Sequence, residues 1–81
     1  MKIVARAKCF YSWMVETHIK SDGLIGKLAR DMKSDGSRFT RGWRRGRNEA
    51  YLNMVGASEG IMKAFDAAWA EYERYKAGFK N

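Results

Sequence analysis

The chain has 81 residues and a mass of 9.3 kDa, enough for one small domain that buries about 60% of the surface its unfolded form exposes. A composition 46% hydrophobic and 14% aromatic excludes an intrinsically disordered tail. Sixteen Lys and Arg against nine Asp and Glu leave a formal charge of +7, which predicts attraction to polyanions without identifying a fold. Cys9 is the one cysteine, so no intramolecular disulfide forms, and a small domain without that staple is expected in a reducing cytoplasm. Residues 1–6 hold an apolar run of three, too short for the core of a signal peptide. No window approaches the roughly 18 apolar residues of a membrane span, so no membrane association is expected. With one histidine and one cysteine, the ligand spacings of a zinc site are missing. No glycine fingerprint for a phosphate cofactor and no internal repeat is present, and neither metal nor cofactor is expected.

The spacing predicts a first helix from about Lys8 to Ile19, with Phe10, Trp13, Met14 and Thr17 at i, i+3, i+4 and i+7 on its buried face. Ser21-Asp22-Gly23 reads as a turn in which Ser21 or Asp22 accepts from the free amides of the next helix. That second helix carries Leu24, Ile25, Leu28, Ala29 and Met32 inward and ends at Ser34-Asp35-Gly36, where glycine suits the left-handed residue past a helix end. A shorter helix over residues 48–55 directs Tyr51, Leu52 and Val55 to the core and is ended by Gly56. The last helix, from Ser58 to about Lys76, shows a continuous stripe of Ile61, Phe65, Ala68, Trp69 and Tyr72, with Ser58 as its cap and several alanines favouring the helical state. No segment alternates long enough to make a strand. The expected fold is all-α and single-domain over residues 1–81.

Residues 36–47 differ from the rest. They read Gly-Ser-Arg-Phe-Thr-Arg-Gly-Trp-Arg-Arg-Gly-Arg, with five arginines and no acid, and so hold most of the excess charge. Guanidinium groups pair bidentately with phosphates, and aromatic rings stack on exposed bases. The contacts expected for a polyanion are therefore Arg38, Arg41, Arg44, Arg45 and Arg47, flanked by Lys33, with Trp43 as stacker. The competing reading is a solvated basic loop whose Phe39 and Trp43 plug the core, and Trp43 is read first as core.

Four blocks carry a resemblance. They are Phe10-Tyr11-Ser12-Trp13-Met14, then Asp22-Gly23-Leu24-Ile25-Gly26-Lys27-Leu28-Ala29-Arg30-Asp31, then Tyr51-Leu52, then Ala64-Phe65-Asp66-Ala67-Ala68-Trp69-Ala70-Glu71-Tyr72. In this order the chain resembles the YozE-type, sterile-alpha-motif-like (SAM-like) family of small bacterial proteins. The resemblance implies a four- to five-helix SAM-like bundle without known catalysis, and it supplies no functional residue to transfer. Gly23 stands where the family often has proline, Phe39-Thr40 stands where it commonly has Phe-Pro, and the arginine run around Trp43 departs from the pattern.

The expected function is that of a non-enzymatic basic module contacting a polyanion, with nucleic acid preferred. The alternative is a protein-interaction module, or a mobile-element inhibitor, docking on an acidic or nucleic-acid-binding surface of a partner protein. A helix-turn-helix needs a turn of about 3–4 residues, which the long arginine segment precludes, and only Asn48, Glu49 and Asn53 could read base edges. An enzyme is the weakest reading. His18 is expected at the surface or boundary and Cys9 as a partly buried small hydrophobe, while Asp22 and Asp35 mark helix ends and Asp31 pairs with Lys27, Arg30 or Arg38.

Overall fold

A computed structural model of the chain describes residues 7–78, which form four α-helices and a short 3₁₀ turn; the apolar run within residues 1–6 lies outside the described residues. The helices are α1 (Phe10–His18), α2 (Gly23–Asp35), α3 (Arg45–Met54) and α4 (Glu59–Ala77), with the 3₁₀ turn at Gly36–Arg38. The long α4 is the spine. It packs against each of the other three helices, and α1 also packs on α2. The backbones of α2 and α3 do not approach each other.

The apolar stripes meet where the spacing predicted. Phe10 sits at the centre, fully buried, with ring centroids at 4.9 Å from Trp69, 5.4 Å from Tyr72 and 5.5 Å from Phe65, the last two edge-on. Edge-on and tilted pairs place the positive ring edge against the negative face, which adds to the gain from burial. The Tyr72 hydroxyl donates to the Lys8 carbonyl at 2.8 Å, and the Lys8 amide donates to the Tyr75 hydroxyl at 2.8 Å, so the strand of chain before α1 is tied to the end of α4.

The helix ends follow local chemistry in part. Ser58 caps α4, its hydroxyl accepting from the Ile61 amide at 3.2 Å. Gly36 ends α2 at φ 56° and Gly56 follows α3 at φ 76°, a region that favours glycine. The cap expected of Ser21 or Asp22 is absent: Asp22 occupies the N-cap position without a side-chain bond, and the Ser21 hydroxyl is taken by His18 Nδ1 at 2.9 Å. Three apolar-face assignments are also corrected. Thr17 is exposed because α1 ends one residue later, and Leu24 and Val55 are 48% and 51% exposed because they sit at the terminal turns of their helices, Leu24 in the first turn of α2 beside Gly60 and Val55 just past the end of α3.

Gly26 is buried at the first turn of α2, where the chain from α1 passes directly over it. A Cβ there would lie 1.7 Å from the Ser21 carbonyl oxygen. That turn is held by Arg30, which donates to the carbonyls of Ile19 (3.1 Å) and Ser21 (3.2 Å).

Candidate functional site

The five arginines of residues 36–47 are not equivalent. The segment is anchored by Phe39, 2% exposed, whose ring lies 4.7 Å from that of Tyr51 and 5.8 Å from that of Tyr11. Phe39 therefore belongs to the core. Arg41 folds back over this plug, its Nη1 donating to the carbonyls of Gly36 (2.9 Å) and Phe39 (2.7 Å). Its guanidinium carbon stands 3.6 Å from the centre of the Tyr11 ring, a cation–π contact that fixes the loop to α1.

Arg45 turns the other way. It pairs with Asp66 on α4, lies 3.8 Å from Glu49, and stands over the Phe65 ring at 5.4 Å. The side chains of Arg38, Arg44, Arg47 and Lys33 make no hydrogen bond or ion pair with another described residue, and all four are exposed. Of the residues expected to touch a polyanion, these four are free to do so, while Arg41 and Arg45 hold the loop in place.

The helix after the loop begins at Arg45, three residues earlier than the spacing suggested. Asn48, read as a possible contact with base edges, is fully buried instead. Its Nδ2 donates to the carbonyls of Arg44 (2.9 Å) and Gly42 (3.3 Å), stitching the loop onto the first turn of α3, while its Oδ1 has no hydrogen-bond partner among the described residues. With Phe39 and Asn48 filling the interior, Trp43 stays outside at 51% exposure, which corrects its placement in the core. The Arg47 stem crosses Gly42 so closely that a Cβ at Gly42 would sit 2.5 Å from its Cδ. A side chain at Gly42 would push the exposed Arg47 stem away from the loop.

The first turn of α3 differs from those of the other helices in its arginines, Arg45 and Arg47, while its lack of an acid and of a side-chain cap is shared with α1 and α2. Arg44 is its N-cap without a side-chain cap, and no acid occupies the first turn. Helix amides expose partial positive charge at this end, so each cation placed there costs about 0.3–1 kcal/mol and an incoming anion is favoured by the amides and the arginines together. Nearby, the Tyr51 hydroxyl donates to Asp35 at 3.1 Å, and burial, followed by that bond, pushes its pKa above the ordinary phenol value.

The residues weighed for catalysis are engaged otherwise. His18 is half-buried, with Nε2 2.5 Å from Glu71 Oε1 and Nδ1 bonded to Ser21, which joins α1 to α4. Cys9 is the N-cap residue of α1, with Sγ 3.5 Å from the Ser12 hydroxyl, and Asp31 pairs with Lys27 at 3.4 Å. Among the described residues no three His, Cys, Asp or Glu side chains cluster as a metal site would require, and no helix is long and apolar enough to cross a membrane.

An all-α bundle with short helices wrapped around a longer C-terminal one defines a SAM-like domain. The YozE SAM-like fold family matches residues 9–74, and the chain belongs to that family. The match spans residues 36–47, so the arginine segment lies within the family domain. No curated protein and no solved structure matches the chain.

Proposed function

We propose that the protein is a non-enzymatic binding module that grips the phosphate backbone of a nucleic acid at the N-terminal turn of α3. The observation that carries this reading is the trio Trp43, Arg44 and Arg47: an exposed indole flanked by two arginines without internal partners, on a loop fixed from behind by Arg41 and Asn48. Arginines used only for solubility have no need of a rigid backing. Arg38 and Lys33 extend the basic surface toward α2, and Trp43 offers a face on which an unpaired base can stack. Backbone contacts of this kind bind without sequence reading, consistent with the burial of Asn48.

The test is a salt titration of affinity for single-stranded and duplex oligonucleotides. If Arg38, Arg44 and Arg47 each neutralise one phosphate, log affinity falls against log salt with a slope of about −3 on duplex and about −2 on single strands. Arg44→Glu with Arg47→Glu abolishes binding, and Trp43→Ala selectively weakens the single-stranded complex. A flat salt response, or no complex at low salt, overturns the assignment. Recovery of a stoichiometric protein complex after nuclease treatment, lost in the same double variant, would move the site to an acidic protein surface instead.

A further inference from the structure

Every other Phe, Tyr and Trp side chain among the described residues lies against another ring, and Trp43 alone does not. It makes no side-chain hydrogen bond with a described residue either, and it is 51% exposed where Trp13 and Trp69 are 5% and 6%. The core is built without this ring.

Two free arginines are set around it. Arg44 follows Trp43 directly, and Arg47 runs its stem along Gly42, the residue before, with Cδ and Cγ 2.5 and 3.2 Å from where a Cβ would lie. Arg44 is the N-cap of α3 and Arg47 the third residue of its first turn. Those are the positions whose side chains serve a capping box, in which Ser or Thr and Glu or Gln bond reciprocally. Two arginines cannot close that box. Residues at this spacing stand about 5–6 Å apart, so their charges repel until an anion joins them. We propose that the target is an unpaired strand, in which Arg44 and Arg47 take the phosphates on either side of one nucleotide and its base lies flat on Trp43. This rests on the phosphate grip proposed for the same turn and adds the class of nucleic acid it takes.

Phosphates alone do not separate strand from duplex; the ring does. Inside a duplex both faces of a base are covered by its neighbours, so reaching Trp43 requires unstacking it first, which offsets the gain. In a single strand the face is open, and one stacked base strengthens binding roughly 5- to 100-fold. The electrostatic part works the other way. Counterion release is larger on a duplex, with a slope of about −0.9 per phosphate against about −0.7 on a single strand. With three contacts on either, the preference for the single strand therefore widens about fourfold for each tenfold rise in salt.

The test is a fluorescence titration of the full chain with an oligo(dT) strand, and with the same strand annealed to oligo(dA), from about 50 mM to about 500 mM salt. Because Trp13 and Trp69 are buried, quenching on contact reports Trp43. The expected result is emission quenched by the single strand and not by the duplex, with a single-strand preference that grows with salt. Trp43→Ala, at an exposed position, removes that preference and leaves both salt slopes and helical circular dichroism unchanged, while Trp43→Phe retains part of it. Binding to the duplex as tight as to the strand at every salt, without quenching, overturns the strand assignment and leaves the phosphate grip standing. A single-strand preference that survives Trp43→Ala overturns it equally. Absence of any salt-dependent complex with either probe overturns both readings.

Discussion

Replacing Gly26 with alanine sets two effects of opposite sign against each other. Inside a helix, alanine is favoured over glycine by about 0.8–1 kcal/mol, because glycine has more backbone freedom to lose. Propensity alone therefore predicts a more stable protein. In the structure, the added Cβ falls 1.7 Å from the Ser21 carbonyl oxygen, 2.6 Å from the Ser21 carbonyl carbon and 3.0 Å from Arg30 Nη1. The first two atoms are backbone and cannot swing aside. Reaching ordinary contact requires the α1–α2 turn to lift by more than an ångström, which breaks the Arg30 bonds to Ile19 and Ser21 and loosens the Ser21 amide from the His18 carbonyl. Overpacking of this kind costs about 1–3 kcal/mol, and loss of charge-assisted bonds adds to it. After subtracting the helical gain, the expected loss is about 2–3 kcal/mol, equivalent to a fall of about 10–20 °C in melting temperature for a domain this small. Thermal unfolding followed by circular dichroism reads it directly. An unchanged or raised melting temperature would refute the close passage of the turn over Gly26.

Trp69→Ala removes a side chain that is 6% exposed and packed at 4.9 Å on Phe10 and 5.0 Å on Tyr72, and it should cost about 3–5 kcal/mol, seen as loss of a cooperative transition in urea. Tyr72 is buried, and burial, with the neighbouring Cys9, Tyr75 and Glu73, holds its phenol pKa well above the ordinary value. The unfolded chain releases that proton near pH 10 while the folded chain keeps it, so this contribution to stability is complete below about pH 10 and is lost as pH rises toward the folded pKa. Tyr72→Phe should cost about 1 kcal/mol at neutral pH through the Lys8 carbonyl it leaves unpaired, and should flatten the alkaline decline in a pH series of melting temperatures. Arg45→Ala should lower stability by at most about 1 kcal/mol, the scale of an exposed ion pair, and should change oligonucleotide affinity less than Arg44→Ala does.

Most of the fold was legible because it rests on local signals. The four stripes, the serine cap of α4 and the glycines after α2 and α3 are decided by residues within a turn of one another. What periodicity does not carry is where a stripe outruns its partner. Leu24 and Val55 sit in phase with buried neighbours, yet one lies in the first turn of α2 and the other just past the end of α3, so both side chains stay half exposed. Thr17 fails for a related reason, since the contact with α4 at that end of α1 is made by His18 through Glu71. α3 starts at Arg45, three residues before Asn48, although Gly46 is a poor helix former. Here Asn48 caps nothing. It reaches back to Arg44 and Gly42 from inside the helix, and the arginines before it become helical.

The arginine segment shows why concentrated charge alone does not define a site. Residues 36–47 carry five cations with no local acid, so counting treats them as equal. Their fates depend on groups far along the chain: Asp66, 21 residues after Arg45, and the Tyr11 ring far upstream of Arg41. Those partners remove two arginines and in doing so make the others more useful. Arg41 pins the loop to α1, Arg45 pins the start of α3 to α4, and Asn48 closes the turn between them. Arg44 and Arg47 are thereby presented from a backbone held on three sides, with less conformational entropy to lose on binding than the same residues on a free loop. Placing cations at the positive end of a helix costs stability, in contrast to α4, whose first turn carries Glu59. An anion at that turn relieves the cost, which is why the free pair beside Trp43, and not the total of five, is the part of the segment suited to binding one.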